Sequence, residues 1–140
     1  MKRFFLEDEI NEIKWKISME FAFKKANFCE FNQLYDCEEL NMFLKLNEED
    51  FIQKYDKKVK LFQNGTVFRF KLSDKMKLYF KEKDFKYFNT NFITDPSFYV
   101  DNNEIIATIS HEDQIYLNSE FFEYNYFRSK GFELNHEVLI

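Results

Sequence analysis

Between residues 97 and 117 the chain reads SFYV-DNN-EIIATIS-HED-QIYL, three apolar stretches separated by two polar triplets, Asp101-Asn102-Asn103 and His111-Glu112-Asp113. Connections this short join antiparallel neighbours, whereas a parallel pair needs a crossover of roughly a dozen residues or more. The segment predicts a three-stranded meander, and the rest of the fold must be built around it. Nowhere does the order of strands and helices alternate as βαβ units would. The expectation is therefore an α+β fold: a single curved antiparallel sheet of about five to seven strands with two or three helices packed on it. With 140 residues and no linker-like stretch, residues 1–140 read as one domain.

Upstream of the meander the patterns compete. In IKWKISMEFAF (13–23) Ile13, Trp15, Ile17, Met19, Phe21 and Phe23 alternate with Lys14, Lys16, Ser18 and Glu20. That period of two predicts a half-buried strand. Ile10, Ile13, Ile17 and Phe21 also follow helical spacing, so a helix stays open there. Residues 36–55 change period. Asp36 and Glu39 resemble a capping box ahead of Leu40, Phe43 and Leu44, and Asn47 with Asp50 resembles a second start ahead of Phe51, Ile52 and Tyr55. One or two short helices are expected.

KVKLFQNGTVFRFKL (58–72) then reads as two strands turned at Asn64-Gly65, and the formal sequon Asn64-Gly65-Thr66 is read as that turn. MKLYFKEK (76–83) continues the alternation through Met76, Leu78 and Phe80 and predicts a further strand. Residues 84–97 are irregular and aromatic, with Pro96 marking a turn or the start of a strand. After the meander, Ser119 is the expected cap of a helix through FFEYNYFRSK that stops at Gly131. A last short strand falls in FEL or HEVLI.

Charge is segregated along the chain. Residues 1–50 carry 7 basic and 12 acidic side chains, residues 51–90 carry 11 and 4, and residues 91–140 carry 2 and 9. The total is −5. Two glycines and one proline leave little for glycine-built ligand loops, and the chain holds no P-loop, no dinucleotide-binding turn and no H-E-x-x-H helix. No cofactor is expected. Cys29 and Cys37 are too few for a disulfide framework and point to a reducing cytoplasm. The apolar run in MKRFFLEDEINE stops after three residues, unlike a signal peptide. No segment approaches the roughly 20 apolar residues that span a bilayer.

Several constellations invite chemistry. Ser110-His111-Glu112-Asp113 places serine, imidazole and carboxylate side by side. Neighbours on an extended chain point to opposite faces, however, and a triad needs three side chains converging on one site. The tetrapeptide reads as a polar turn. Cys29, Cys37, His111 and His136 match no zinc spacing. Cys29 or Cys37 paired with His111 is a conceivable thiol nucleophile and base, against the commoner buried cysteine. KMKLYFKEKDFKYF (75–88), with Lys81, Lys83 and Lys86, interleaves cations and rings as a nucleic-acid surface does. The favoured reading is an amphipathic strand with a lysine-rich solvent face. An acidic chain makes nucleic acid the less favoured partner.

SEFFEYNYF (119–127) is acidic and aromatic together. Glu120, Glu123, Tyr124 and Tyr126, with Asp101, Glu104, Glu112 and Asp113, are the candidate partner-binding residues, because rings bury while hydroxyls and carboxylates still bond. The stretch DPSFYVDNNEIIATISHEDQIYLNSEFFEYNYFRSKGFEL (95–134) resembles the ending of small bacterial domains built as strand, turn, strand, His-Glu, strand, helix. Some of these resemble immunity proteins, the antidotes to secreted toxins.

The resemblance implies a non-enzymatic protein that binds a protein partner, a toxin and possibly a nuclease, and it transfers no catalytic residue. The expectation is a cytoplasmic inhibitor, monomer or homodimer, without membrane association. The alternatives are a nucleic-acid-associated adaptor using residues 51–90, or a phage- or plasmid-encoded inhibitor of host defence.

Overall fold

Eight strands form one open antiparallel sheet in the order β3-β4-β2-β5-β6-β7-β1-β8. The computed structural model describes residues 2–60 and 63–139. The strands are β1 (Arg3–Glu7), β2 (Phe28–Gln33), β3 (Phe51–Lys60), β4 (Gln63–Lys71), β5 (Ile93–Val100), β6 (Asn103–Ile109), β7 (Gln114–Asn118) and β8 (His136–Leu139). Among the described residues five α-helices interrupt them: α1 (Glu12–Lys25), α2 (Glu38–Leu46), α3 (Asp74–Lys81), α4 (Tyr87–Thr90) and α5 (Tyr124–Ser129). The α+β class and the antiparallel sheet agree with the sequence pattern. The numbers of strands and helices both exceed it: β1 and β2 carried no clear alternation, and residues 13–23 and 76–83, expected as strands, are helices. No helix among the described residues is long and apolar enough to cross a membrane.

The meander forms as the pattern requires. Asp101 and Asp113 take the left-handed conformation at its two turns (φ 54° each), which short polar side chains tolerate better than branched ones. Pro96 lies within β5.

Residues 13–23 are a helix and not a strand. Asn11 decides it: its Oδ1 accepts the N–H of Lys14 at 2.8 Å, a cap that starts α1. The buried set is Trp15, Ser18, Met19, Phe21 and Ala22, which is helical spacing, while Ile13 is left 69% exposed. Residues 76–83 are corrected in the same way. Ser73 Oγ accepts the N–H of Met76 at 3.2 Å and opens α3, which buries Met76 and Phe80 one turn apart and leaves Leu78 54% exposed. Met76, Leu78 and Phe80 therefore do not share a face.

The second expected helix, after Asn47, is instead the start of β3. Asn47 is buried, folds its side-chain amide onto the carbonyl of Phe43 (2.9 Å), and accepts the N–H groups of Asp50 and Phe51. It closes α2 and turns the chain into the sheet. Cys37, not Asp36, is the N-cap of α2 and contributes no side-chain cap bond. Asn64 and Gly65 pair with Lys58 and Lys57 inside the β3–β4 ladder, so the dipeptide is not the hairpin turn. Residues 61–62, which the hairpin reading also covers, lie outside the described residues.

The expected helix from Ser119 is shorter, because Asn118 draws the N–H groups of Phe121 and Phe122 into a turn and Ser119 donates to Arg3. Gly131 (φ 94°) ends it as expected. Its N–H reaches the carbonyl of Arg128 while that of Phe132 reaches Phe127, the two bonds of a Schellman ending.

The helices lie on one face of the sheet. Cys29 and Phe31 of β2 stand opposite Phe70 and Phe68 of β4, and Phe98 of β5 pairs with Cys29. Phe31 stacks on Phe80 of α3 (5.3 Å, 13°) and meets Phe43 of α2 edge-on at 5.9 Å. Trp15 lies 4.8 Å from Phe85 and 5.9 Å from Phe88 of α4. Alternate residues of the same strands, Phe28, Glu30, Arg69 and Tyr99, fall on the opposite face.

Candidate interaction surface

Asn118 ties together the end of the sheet where most candidate residues lie. It is fully buried; its Nδ2 donates to the carbonyl of Glu104 (2.8 Å) and its Oδ1 accepts the N–H of Glu120 (3.0 Å). Glu104 also accepts the Tyr99 hydroxyl at 2.8 Å. Asp101, in the β5–β6 turn at that end, holds Asn27 by two bonds: its N–H donates to Asn27 Oδ1 (2.7 Å) and its carboxylate accepts Asn27 Nδ2 (2.9 Å). Glu123 caps α5 without a side-chain bond, and Tyr124 and Tyr126 follow it. Both tyrosines are 41% exposed. Tyr124 leans on Phe5 (5.4 Å) and Phe122 (6.3 Å), and Tyr126 on Phe127 (5.6 Å), so their positions are set from beneath.

Glu112 and Asp113 lie elsewhere. They occupy the β6–β7 turn, at the far end of β6, a separation of roughly 20 Å at about 3.3 Å per residue. There the Glu112 carboxylate is 3.8 Å from His111 Nε2, both half-exposed, and the Asp113 carbonyl accepts Ile10 N–H at 2.9 Å. The structure brings Asp101, Glu104 and Glu120 to one end of the sheet, with the Glu104 carboxylate on the helix-free face against Tyr99 and Tyr124 on the helix-bearing face against Phe5, and leaves Glu112 and Asp113 at the other end.

A polar network on the helix-free face had no place in the sequence reading. Glu30 accepts the Tyr55 hydroxyl (2.5 Å) and Arg69 Nη1 (2.9 Å), while Arg69 Nη2 donates to the carbonyl of Asp101. The guanidinium carbon lies 4.4 Å from the ring centre of Phe28 and 4.9 Å from that of Tyr99. Burial, then the Glu104 and Glu30 charges, push the Tyr99 hydroxyl far above the usual phenol range. Burial and the bond to Glu30 do the same for Tyr55. The network runs from Tyr55 on β3 to Glu104 on β6 and is continuous with the Asp101 turn. A signal existed: Glu30 and Arg69 each interrupt an apolar strand, in FCEFNQ and VFRFK. Seeing them as a pair requires the β2–β4 register.

The other candidates are dispersed. Ser110 points inward and exchanges bonds with Asp95, its Oγ accepting Asp95 N–H (3.0 Å) and its N–H donating to Asp95 Oδ1 (2.7 Å); His111 points outward. Cys29 is fully buried and its thiol is held well above the usual range by burial, then by Glu30 and Asp50. Cys37 is half-buried at the start of α2. His136 pairs with Leu6 on the β1–β8 ladder. Among the described residues no three His, Cys, Asp or Glu side chains converge as metal ligands.

In the basic block, Lys81 and Lys83 lie over rings, 5.8 Å from the centre of Phe23 and 4.9 Å from that of Tyr87. Lys75 bonds the last carbonyl of α2, at Leu46, and Lys86 is exposed. The chain matches no known family model, no curated protein and no solved structure.

Proposed function

We propose that the protein is an inhibitor of the immunity type, which neutralises a protein partner by covering part of its surface. The observation that carries this reading is the end of the sheet where Glu120 and Glu123 stand beside Tyr124 and Tyr126, two half-exposed rings fixed from below by Phe5, Phe122 and Phe127. Rings already held in place lose little freedom on docking, and interface energy concentrates in such anchors. The surrounding carboxylates steer a basic partner and raise its rate of encounter. A basic cleft, such as that of an enzyme cutting nucleic acid, is the complementary shape and charge. The resemblance of residues 95–134 to the endings of immunity domains supports the same reading.

The test is co-expression with the product of the adjacent gene in a bacterial host, scored by growth and by co-purification. Protection by the wild type, lost in the Glu120→Lys/Glu123→Lys/Tyr124→Ala/Tyr126→Ala variant and retained in Glu112→Lys/Asp113→Lys, is the expected result. Urea unfolding of both variants checks that they are folded. Equal protection by both, or none by the wild type, discards the reading.

A further inference from the structure

The two edges of the sheet are unequal. β8 offers four residues, and shortness is itself a protection against pairing, whereas β3 runs ten residues from Phe51 to Lys60. No proline interrupts β3, and Phe51, Ile52, Gln53, Lys54 and Asp56 are exposed along it. Its far half is also thinly supported. β2 pairs with β4 only as far as Val67, so residues 56–60 and 63–66 pair with each other alone among the described residues. A two-stranded ribbon of this kind is marginal in water without a further strand beside it.

We propose that the further strand is β3 of a second copy of the chain, laid antiparallel about a two-fold axis through Tyr55. The register follows from geometry and charge. Opposed residues in an antiparallel pair must share a face and a bonding direction, so on two copies of one strand their numbers differ by an even step. Centring the axis on Lys54 sets that lysine against itself. Centring it on Asp56 opposes two carboxylates and sets Lys54 against Lys58, and centring it on Lys57 again opposes lysines. Centring it on Gln53 leaves the ribbon without a partner. The axis through Tyr55 places Lys54 opposite Asp56 on both sides and Gln53 opposite Lys57.

Lysines on an edge ordinarily keep a second strand away; here Asp56 answers Lys54 of the other copy. Each ribbon then lies beside the start of the other copy's β3, the part that β4 and β2 back. Residues 53–57 exchange about four to six backbone bonds, at the low end for a specific interface. Register shifts at Phe51/Gln53 and Lys58/Lys60 end the regular run. A contact this small makes a dissociable dimer. It joins two eight-stranded sheets into one and involves neither Glu120 nor Glu123, so its failure and that of the inhibitor reading are independent.

Sedimentation equilibrium of the intact protein at low salt, from about 1 to 500 μM, reads the association. The wild type dimerises reversibly. Lys54→Asp and Asp56→Lys each oppose like charges twice and weaken the dimer about tenfold. Lys54→Asp/Asp56→Lys only exchanges the pair and restores the wild-type constant to within about twofold. Glu120→Lys/Glu123→Lys dimerises as the wild type does. Urea unfolding at the lowest concentration checks that every variant is folded. A monomer throughout, a dimer indifferent to both single reversals, no recovery in the exchanged variant, or a dimer lost with Glu120 and Glu123 overturns the proposal.

Discussion

Arg69 and Glu30 stand directly opposite one another on β4 and β2, with Nη1 2.9 Å from Oε2 and both side chains less than a tenth exposed. The pair is completed by the Tyr55 hydroxyl on the carboxylate and by the rings of Phe28 and Tyr99 beside the guanidinium. Removing one partner strands the other charge in a poorly hydrated place, which costs about 3–5 kcal/mol, whereas replacing both with apolar groups strands neither. Arg69→Ala is expected to lower stability by about that amount in urea unfolding. Glu30→Leu/Arg69→Met is expected to lower it by less. If Arg69→Ala unfolds within about 1 kcal/mol of the wild type, the pair behaves as a solvent-screened one.

The two halves of the chain were not equally legible. The meander was readable because its turns are short and polar, and only an antiparallel pairing fits them. The first half misled because apolar residues are so dense, with Phe alone present 20 times, that periods of two and of 3.6 both find support. In α1 and α3 the deciding information was a single cap, Asn11 and Ser73, placed ahead of segments whose alternation argued for strands. Of the candidate residues, the acids and tyrosines could be picked out by type, but not their division between the two ends of β6. The Glu30–Arg69 pair depends on a register between residues 39 positions apart, and no local pattern encodes that.

The tyrosines make stability fall at high pH. Tyr99 and Tyr79 are held well above the ordinary phenol range, chiefly by burial, then by the Glu104 charge and by the Tyr87 hydroxyl respectively. A folded-state pKa raised above the unfolded one gives stability that is fully present below the unfolded value, about 10. Above it the unfolded chain releases phenolic protons that the folded chain keeps, so stability declines as pH climbs toward the folded pKa. Urea midpoints should therefore drop steeply above about pH 10, with phenolate absorbance appearing together with unfolding. Tyr99→Phe should make the decline shallower. An unchanged slope in that variant would show that Tyr99 ionises freely in the folded state.

The two thiols should separate cleanly. Cys29 is enclosed between Phe70 and Phe98 on the helix-bearing face, and burial raises its pKa, so little thiolate forms and no reagent reaches it. Cys37 is partly exposed at the head of α2. Labelling with a thiol-reactive disulfide at neutral pH should modify one cysteine quickly in the native protein and the second only at the rate of unfolding, with peptide mapping naming Cys37 as the first. Rapid native labelling of Cys29 would mean that β2 opens locally, and would return it to consideration as a nucleophile.

Asn118 is the residue through which stability and the proposed interaction surface meet. Its side chain satisfies the carbonyl of Glu104 on β6 and the N–H of Glu120 beyond β7, and its own carbonyl receives the N–H groups of Phe121 and Phe122. Asn118→Ala keeps the backbone bonds and removes both side-chain ones, leaving a carbonyl and an N–H unpaired at a cost of about 1–3 kcal/mol each where they are buried. Hydrogen exchange should accelerate at the Glu120 amide and stay unchanged at Ile115, near the start of β7. Because Glu120 and Glu123 then lose their fixed spacing from Asp101 and Glu104, a partner held at this end should dissociate faster, with its association rate nearly unaltered since the charges remain. Asn118→Asp separates the two halves of the role: the carboxylate still accepts from Glu120 N–H but faces the Glu104 carbonyl without a donor. It should protect the Glu120 amide better than Asn118→Ala does while recovering none of the lost β6 bond, and equal exchange in the two variants would remove Asn118 as the tie between the turns.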